Sequence, residues 1–594
     1  MANALLRRYV PASVWVPRYD RRDLRGDLSA GLTVGAMLVP QAMAYALLAG
    51  MPPETGLYAS IIPVAVYALL GTSRQLAVGP VATVSLMTAA SLAPLFEDDS
   101  SAYIAGAALL SIMVGVVHLV LGLGRLGFVV DFLSNSVLVG FTAASAILIA
   151  ASQAKYLLGV SIPRSASLVT NVRDLAGVVG DTNAATVALA AGSMAVLYAL
   201  KRLAPTAPAA LVVVVASIAI VRIFDLRAHG VATVGEIPGS IAGLSLPDLG
   251  AGDVARLSSA ALAITLVGFM QSIAAVKVYA RRHRHDVDTN QELVAIGVSN
   301  VAAGLFGGFP VTGGLARSAV NDSAGARTPL ASIITALVVL ATVVFFTPLF
   351  SPLPQAALAA IIVMAVVKLV DVAEIRHIVG VKRTDLIGLT VSFTGTLLLR
   401  IELGILLAVV ASMLVVFARM SRPHRAVLGR IPGTTSYRNL DRFPEAETEP
   451  GIRILRIDAA LSFVNAQHVK RVLLDEAAAV AEAPRVLLLD CSGINDIDAT
   501  GADVLGEVIA DLDRGPVALH LCDVKGPVRD VLRRAGLWQH LSGRLHATPH
   551  QAVSAIRDGR RPHPAAGAGG ADALRRAGID ERGDDAPPDP SHGS

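Results

Sequence analysis

Residues 309–329 read FPVTGGLARSAVNDSAGARTP and interrupt a series of long apolar segments. The stretch is too polar and too rich in glycine to be a continuous membrane span. Gly313 and Gly314 permit an extended or turned backbone, and residues 316–324 can form one or two turns of helix. A half-helix at membrane depth directs free N–H groups and the positive end of its dipole towards its N-terminus, where Arg317 also lies. The stretch is therefore either an anion site or a re-entrant loop whose arginine extends to the surface.

A second stretch, GTSRQLAVGPVATVSLMTAA at residues 71–90, has the same build. A polar turn with an arginine and an extended apolar piece come first, and Gly79-Pro80 and a short segment rich in threonine and serine follow. Pro80 suits the first position of a helix because proline has no N–H to lose. Two interrupted short segments at corresponding places of two halves indicate a transporter site at mid-membrane. We therefore predict two half-helices that meet N-terminus to N-terminus around a bound anion.

The composition places the chain in the membrane class. Of its 594 residues, 54% are hydrophobic and only 16% are charged, with a mean hydropathy of +0.60. Apolar runs of about 17–25 residues fill the chain from residue 28 to residue 420, and each is long enough to cross a bilayer. We count about 14 segments, which predicts an α-helical polytopic membrane protein. No cleavable signal peptide is evident before residue 28.

Basic residues at the ends of the predicted spans indicate the topology. Residues 1–27 carry six arginines, and Arg419, Arg422 and Arg425 follow the last span. By the positive-inside rule both termini are cytoplasmic, and we expect a multi-pass protein of the cell inner membrane, surrounded by lipid and without a nucleic-acid partner. We divide the chain into a cytoplasmic N-terminal segment (1–27), a transport domain (28–420), a linker (421–449), a small α/β domain (450–557) and a disordered tail (558–594).

The small domain has the pattern of a soluble α/β fold. RILRID and SFVNA resemble the strands of a hairpin, RVLLLDCS and GPVALHLCD read as further strands, and residues 467–483 read as a helix. Asp498 and Thr500 both suit the N-terminus of a later helix. Cys491 and Cys522 lack metal-site spacing, so we predict neither a metal site nor a disulfide.

Polar residues inside the spans are candidates for the site. Gln41 and Tyr45 are four residues apart and share one face of the first span. A glutamine at mid-span faces either a cavity or a neighbouring helix to which it hydrogen bonds, and Pro40 beside it favours the cavity. Gln271 lies in the middle of the eighth predicted span.

These pieces resemble the SulP family of anion transporters with a C-terminal STAS domain. The matching strings are VPQAMAYALLAGMPPETGLYAS (39–60), TSRQLAVGP (72–80), DVDTNQELVAIG (286–297), FPVTGGLARSAVN (309–321) and DIDATG (496–501). The resemblance implies a 7+7 inverted repeat, a core domain and a gate domain that move against each other, and a cytoplasmic STAS domain. It also implies an anion site between the third and tenth helices, lined by Gln41, Tyr45, Val81, Ala82, Thr83, Gly314, Leu315, Ala316 and Arg317.

Two positions depart from the family's pattern. Many bacterial members carry an acidic residue on the eighth helix where this chain has Gln271, and an amide cannot take up a proton for coupling. Some relatives carry serine directly before the tenth-helix arginine, where this chain has Ala316, so backbone amides must provide more of the anion binding. Both differences favour uniport or exchange over proton symport as a hypothesis.

The STAS resemblance also concerns Thr500 and partners. Thr500 occupies the position of a serine that anti-sigma antagonists of this fold have phosphorylated, so it is either a helix cap or a regulatory phosphorylation site. The family further implies a homodimer and cytoplasmic partners of the STAS domain.

The leading hypothesis is a secondary transporter of a small anion that works by alternating access. A tetrahedral dianion such as sulfate gains most from two helix N-termini and an arginine, followed by a dicarboxylate or bicarbonate, and chloride also fits. A nucleobase permease shares the fold but usually needs acidic side chains at mid-depth. A membrane-anchored STAS signalling protein would not require paired half-helices. No nucleophile–base pair, metal-ligand spacing or GxxxxGKS loop is evident, so we expect neither an enzyme nor a cofactor.

Overall fold

The computed structural model describes residues 9–559 apart from 97–98, 129–133, 163–167, 205–207, 241–242, 248–249, 382–383, 400 and 481. The chain divides into two compact units, with the boundary between Met413 and Leu414. The tail that the sequence predicts to be disordered lies outside the described residues from residue 560 onwards, as do Arg7 and Arg8.

The first unit is mainly helical, because a helix satisfies its backbone groups within one segment and can therefore lie in lipid. Two strands of two residues, β1 (Val78–Gly79) and β2 (Thr312–Gly313), interrupt the helices. The helices in chain order are α1 (Ala12–Trp15), α2 (Leu24–Leu48), α3 (Pro53–Tyr58), α4 (Ile62–Leu70), α5 (Ala82–Phe96), α6 (Ser100–Leu123), α7 (Asn135–Leu158), α8 (Leu168–Val178), α9 (Ala184–Leu203), α10 (Ala209–Ile223), α11 (Ala251–His283), α12 (Thr289–Leu305), α13 (Leu315–Ser323), α14 (Leu330–Ala341), α15 (Thr347–Phe350), α16 (Gln355–Val366), α17 (Val372–Val381), α18 (Asp385–Leu398) and α19 (Ile401–Ser421).

The segments follow a repeated order. Among the described residues, 7 helical spans are long and apolar enough to cross a membrane, and five shorter apolar helices accompany them. With α12 and α13 they make fourteen segments, as the sequence predicts. In each half of seven, a strand followed by a short helix is the third segment, and an extra helix (α8 or α17) follows the fifth segment. The predicted 7+7 arrangement with two half-helices is therefore confirmed.

Glycines allow the closest helix contacts in this unit. A Cβ on Gly115 of α6 would lie 2.6 Å from the carbonyl oxygen of Gly297 on α12, and one on Gly304 would lie 2.4 Å from that of Ala108. Small residues let helix backbones approach in this way within membranes. The pair α6–α12 packs with α2, α4 and α11 into the bundle that carries both half-helices, whereas α7, α9, α16 and α18 pack into a second bundle.

Carboxylates hold the half-helix α13 at its C-terminal end. Asp322 of α13 pairs with Arg282 (2.7 Å) and His283 (2.5 Å) at the end of α11. The buried carboxylate of Asp27 accepts hydrogen bonds from the N–H groups of Arg327 (2.8 Å) and Thr328 (2.9 Å), just after α13. These contacts fix one end of α13 and leave its N-terminal end for other groups.

The second unit is an α/β domain on a six-stranded sheet. Its strands are β3 (Arg425–Arg430), β4 (Tyr437–Asn439), β5 (Ile452–Ile457), β6 (Val486–Asp490), β7 (Ala518–Cys522) and β8 (Leu545–His546), in the spatial order β4-β3-β5-β6-β7-β8. Strands β5 to β8 run parallel, and β3 is antiparallel to both of its neighbours. Its helices are α20 (Ala466–Ala478), α21 (Ala499–Asp513), α22 (Gly526–Arg534), α23 (Leu537–His540) and α24 (Pro549–Arg557).

Both faces of this sheet are buried. On β6, Leu487 and Leu489 enter the apolar cluster formed with α20 and α21, whereas Val486 and Leu488 enter the cluster formed with α24. A parallel strand covered on both faces needs apolar side chains at every position. This explains why RVLLLDCS reads as one continuous apolar run. The assignment of this segment as a strand is confirmed.

Two sequence-based assignments in this domain are wrong. Residues 425–439, assigned to a linker, supply β3 and β4 of the sheet. SFVNA (462–466) is not a strand but a turn that enters α20 at Ala466, with the Asn465 side chain accepting a hydrogen bond from the N–H of Ser462 (3.0 Å). Five residues are too few for the apolar pattern to distinguish a strand from a turn that packs one side chain inward.

Thr500 does not cap the helix in which it lies. The carboxylate of Asp498 caps α21 by accepting a hydrogen bond from the N–H of Gly501 (2.7 Å). Thr500 lies in the first turn of α21 and is exposed. The helix-cap interpretation of Thr500 is therefore wrong, because Asp498 already occupies that position.

A stacked histidine pair predicts that the α/β domain loses stability in mild acid. His520 and His546 stack with ring centroids 5.2 Å apart, and Nδ1 of His520 lies 2.9 Å from Nε2 of His546. Burial, followed by the charges of His546 and Arg544, lowers the pKa of His520 to about 4, and burial lowers the pKa of His546. The unfolded chain, with ordinary histidine pKa values near ~6.5, therefore binds more protons below that pH, and stability falls from about pH 6.5 towards pH 4.

We expect a loss of roughly 1–2 kcal/mol between about pH 7 and pH 5, after discounting for solvent at these half-buried rings. The measurement is thermal unfolding of the full chain carrying Trp15→Phe, so that Trp538 of this domain is the one remaining tryptophan. The variant His520→Gln/His546→Gln is the control, and it is expected to lose most of the pH dependence. An equal acid shift in both proteins would contradict the assignment to this pair.

Candidate functional site

The two half-helices meet through their preceding strands. Strands β1 and β2 pair antiparallel, with Val78 opposite Gly313 and Gly79 opposite Thr312. The N–H of Gly314 also donates to the carbonyl oxygen of Ala77 (3.1 Å). Because α5 and α13 each begin two or three residues beyond this ladder, their N-termini lie on either side of it. The predicted N-terminus-to-N-terminus arrangement is present in the structure.

The first N–H groups of both half-helices lack intrahelical acceptors. The first intrahelical bonds run from Ser85 to Val81 (2.9 Å) and from Ser318 to Gly314 (2.9 Å). The preceding amides, from residues 82–84 and 315–317, therefore remain for other acceptors. With the two helix dipoles, they provide donors and partial positive charge at one place.

Arg317 lies between the half-helices as a buried cation without a carboxylate partner in the described part of the chain. Its side chain donates from Nη2 to the carbonyl oxygen of Pro80 (3.0 Å) and is 4% exposed. Its Nε and Nη1 are buried and have no hydrogen-bond partner among the described residues. An unpaired buried charge is costly, so this position favours an incoming anion.

Two glycines make room for this guanidinium. A Cβ on Gly79 would lie 2.9 Å from Nη1 of Arg317, and one on Gly314 would lie 3.1 Å from Nη2. Gly79 also has a backbone φ of +149°, which residues with a side chain rarely adopt. The prediction for Pro80 needs a correction, since α5 begins at Ala82 and Pro80 instead offers its carbonyl oxygen to Arg317.

The first span contributes one wall. Gln41 and Tyr45 lie on the same face of α2 and are both partly exposed. Tyr45 is close enough to Arg317 to interact with it electrostatically. Among the described residues no polar group hydrogen bonds to the Gln41 side chain, which favours the cavity over the interhelical bond.

The other predicted site residues fall into two sets. Val81 lies beside the site, since a Cβ on Gly314 would be 3.4 Å from its Cγ1, and Ala82 is 8% exposed. Leu315 is 53% exposed and Ala316 is exposed, so their side chains project away from the buried guanidinium. Leu315 and Ala316 can therefore contribute through their backbone N–H groups and not through side-chain polarity.

Thr83 and Gln271 form a direct pair. The hydroxyl oxygen of Thr83 lies 3.0 Å from Oε1 and 2.9 Å from Nε2 of Gln271. The pair joins α5 to α11, beside the site. Gln271 is thus a neutral amide whose side chain is already hydrogen bonded.

Polar side chains that the sequence analysis did not assign to the site support the β1–β2 ladder. The Asn300 amide accepts from the N–H of Val311 and donates to its carbonyl oxygen, both at 2.9 Å. Ser272 accepts from the N–H of Gly313 (2.8 Å), and Ser318 accepts from the N–H of Ala77 (3.0 Å). These side chains hydrogen bond to backbone groups of β2 and of the residues next to β1 and β2, and so hold both strands in place.

Glu292 anchors the segment that leads into β1, and the sequence analysis missed it. Its fully buried carboxylate accepts at Oε1 from the N–H (2.6 Å) and hydroxyl (2.7 Å) of Thr72 and the N–H of Ser73 (3.1 Å), and at Oε2 from the hydroxyl of Tyr67 (2.8 Å). A carboxylate directly before the apolar run LVAIG (293–297) was the available signal, since acidic groups in spans are usually kept for a partner.

One group of described residues in the α/β domain brings three metal-ligand side chains together. Ligand atoms of Asp490, Cys522 and Asp523 lie within 4.8 Å of one another. Burial raises the pKa of the Cys522 thiol well above its ordinary range and raises that of Asp523. Because a thiol and a carboxyl bind metals in their deprotonated forms, these shifts oppose binding.

Comparison with known proteins decides the family. The model of the sulfate permease family matches residues 24–392, and the STAS domain model matches residues 443–552. The chain belongs to the sulfate permease family. It is therefore a multi-pass membrane protein of an anion-transporter family, which favours the transporter hypothesis over the nucleobase permease and the signalling protein.

The relatives of this sulfate permease family member cover nearly the whole chain. It is 37% identical over 550 residues to the probable sulfate transporter MT1781 of Mycobacterium tuberculosis (strain CDC 1551 / Oshkosh), covering 92% of this chain and 98% of that one. It is 37% identical to the chloroplastic sulfate transporter 4.1 of Arabidopsis thaliana, covering 89% and 79%. The inward-facing murine Solute Carrier 26 family member A9 anion transporter superposes with a TM-score of 0.87 at 25% identity, covering 93% and 95%.

Proposed function

We propose that this chain is a secondary transporter of sulfate that binds the anion between the N-termini of α5 and α13. The observation that carries the proposal is the buried Arg317, whose Nε and Nη1 have no acceptor among the described residues and whose guanidinium lies against Pro80 and Gly314, just before the first turns of α5 and α13. A doubly charged anion gains more from this field than a singly charged one. The names of the relatives from Mycobacterium tuberculosis and Arabidopsis thaliana support sulfate as the substrate.

The proposed binding residues have different roles. Arg317 supplies the charge, the amides of residues 82–84 and 315–317 supply donors, and Gln41 and Tyr45 supply polar contacts from α2. Gly79 and Gly314 leave the guanidinium its space. Alternating access then follows when the bundle of α2, α4, α6, α11 and α12 moves against the bundle of α7, α9, α16 and α18, and carries the site with it.

The test is uptake of radiolabelled sulfate by the purified full chain in lipid vesicles. We expect uptake that unlabelled sulfate suppresses more strongly than equal concentrations of bicarbonate, a dicarboxylate or chloride. If the protein takes up one of these competitors and not sulfate, the assigned substrate is wrong but the proposed binding site still stands. Absence of uptake for all of them, in vesicles where the protein is folded, would overturn the transporter assignment.

Coupling is proposed to be independent of protons at Gln271. We expect wild-type uptake to change less than about twofold when an inward proton gradient is imposed, because the amide has no ionisable proton near neutral pH. Gln271→Glu places a titratable group 3 Å or so from Thr83 and is expected to make uptake rise with the gradient. Wild-type uptake that collapses without the gradient would contradict the uncoupled mechanism.

The orientation and assembly also belong to the proposal. Arg18, Arg21 and Arg22 precede α2 and Arg25 lies in its first turn, and Arg419 and Arg422 lie at the end of α19. The positive-inside rule then places both termini and the STAS domain in the cytoplasm of an inner membrane protein. We further propose a homodimer, and cytoplasmic partners that bind the STAS domain, for which the family supplies the support.

Thr500 is proposed as a regulatory phosphorylation site. Its hydroxyl is exposed at the start of α21, where added negative charge is favourable to the helix dipole. We expect Thr500→Glu to change the stability of the full chain by less than about 0.5 kcal/mol and to alter the uptake rate, with Thr500→Val as the control. Equal uptake by both variants and the wild type would argue against a switch.

A further inference from the structure

The STAS domain carries a basic pocket on the edge of its sheet. The pocket encloses about 350 Å³. It is lined by His424, Arg438, Asn439, Arg442, Phe443, Arg456 and Asp458. These residues come from the start of the domain, from β4 and the turn after it, and from the end of β5, so the sheet brings them together from three places in the chain.

The pocket has more positive than negative charge. Its one carboxylate, Asp458, is already used by Arg456 (2.7 Å) and His424 (2.9 Å). The guanidinium groups of Arg438 and Arg442 have no acidic partner among the described residues, and both side chains are exposed. Two unpaired guanidinium groups that converge on one concavity match the geometry of a phosphate or carboxylate.

Other lining groups extend this match. The Asn439 side chain accepts from the N–H of Asp441 (2.9 Å) through its oxygen, which leaves its NH₂ group for a second acceptor. Phe443 is 38% exposed and adds an apolar surface beside the charges. The lining therefore combines cationic donors, a neutral donor and an apolar side chain, which suits a phosphate ester with an organic group better than a bare ion.

The pocket lies next to the membrane along the chain. The last membrane span, α19, ends at Ser421, and the pocket residue His424 follows three residues later. Three residues reach at most roughly 10 Å, which is close to the thickness of about 5–8 Å that one headgroup layer adds to the hydrocarbon core. Arg422 between them is exposed and adds to the positive charge there.

We propose that this pocket binds a phosphate ester supplied by an anionic lipid headgroup of the adjoining leaflet. The site would hold the STAS domain against the membrane surface whenever anionic lipid is present. The proposal depends on α19 being the last span and on the positions of Arg438 and Arg442. It does not depend on which anion the transport domain carries.

The test is hydrogen exchange of residues 436–445 in the full chain in nanodiscs. Discs of phosphatidylcholine alone are compared with discs containing about 30 mol% phosphatidylglycerol, a composition with a clearly negative surface. We expect exchange to slow about threefold or more in the anionic discs, as for a site occupied more than half of the time. In Arg438→Gln/Arg442→Gln the ratio is expected to return to about one, since each arginine near an anionic surface contributes about fivefold in affinity.

A matched control and a soluble ligand distinguish the alternatives. Arg471→Gln/Arg534→Gln removes the same charge from exposed positions elsewhere in the domain and is expected to keep the slowing. If both double variants lose it equally, general attraction to the membrane explains the effect and the pocket is overturned. If glycerol phosphate slows exchange in phosphatidylcholine discs as much as the anionic lipid does, the lipid is not the source of the phosphate ester. If exchange does not slow in the anionic discs, the proposed site is wrong.

Discussion

Arg317→Ala is expected to lower sulfate uptake about 10- to 100-fold, because each charge-assisted hydrogen bond to an anion contributes about 1.5–3 kcal/mol. The side chain supplies the one buried cation between the half-helices, and its free N–H groups have no other use among the described residues. Arg317→Lys keeps the charge but loses the forked donors of the guanidinium. We therefore expect roughly 10-fold lower uptake at low sulfate concentration and partial recovery of the uptake rate at high sulfate concentration.

Stability separates this effect from misfolding. Removing an unpaired buried charge does not leave a partner unsatisfied, apart from the carbonyl oxygen of Pro80. We therefore expect the unfolding midpoint of Arg317→Ala in detergent to be unchanged or higher than that of the wild type. Arg256→Ala removes an exposed arginine of α11 and is the control for charge. If Arg317→Ala kept wild-type uptake and wild-type sulfate affinity, the proposed site would be wrong.

Glu292→Ala is expected to destabilise the transport domain by about 3–5 kcal/mol, because it leaves several buried hydrogen-bond donors without their acceptor and each such group costs about 1–3 kcal/mol. Four donors from Tyr67, Thr72 and Ser73 converge on this carboxylate, and all of them lie more than 200 residues away along the chain. The segment that they hold runs directly into β1. We therefore expect the protein that does fold to transport poorly as well.

The conservative variant and a surface control sharpen this prediction. In Glu292→Gln the amide oxygen can still accept from Thr72 and Ser73, and the NH₂ group can donate to the Tyr67 hydroxyl, so we expect a loss of about 1–2 kcal/mol and measurable uptake. Glu236→Ala removes an exposed carboxylate and is expected to behave as the wild type. Unfolding midpoints measured side by side in one detergent provide the ranking. Equal midpoints for Glu292→Ala and Glu236→Ala would show that the carboxylate does not anchor the segment.

The two half-helices show how far a sequence can predict a membrane site. Glycines and a proline that interrupt apolar runs are local features, so GGLAR and AVGP could be identified as strand-and-half-helix units from their own residues. The partner of Arg317 could not, because the Pro80 carbonyl lies 237 positions away in sequence. The sequence also suggested that Pro80 is the first residue of a helix. That prediction is wrong, because the contact between the Pro80 carbonyl and Arg317 is not visible in the local sequence.

The sequence also carried signals that its local pattern could not interpret. Glu292 and Asn300 lie inside one helix, and nothing within that helix distinguishes a structural anchor from a binding residue. Likewise, the local pattern of SFVNA fits a turn as well as a strand. The local pattern of residues 425–439 fits two strands as well as a linker. The pairing of β3 with β4 and β5 decides the second case, and the hydrogen bond from the N–H of Ser462 to the Asn465 side chain, just before α20, decides the first.

The sequence by itself determined which segments cross the membrane, where two of them are interrupted, and that a small α/β domain follows, because hydrophobic period and glycine or proline conformation act over a few residues. The tertiary structure alone decided which backbone groups Arg317, Glu292 and Asn300 contact, and hence why the arginine is left with free donors between two helix N-termini. Those contacts arise when helices distant in sequence pack against each other, and packing depends on shape and hydrogen-bond satisfaction across the whole unit and not on any one segment.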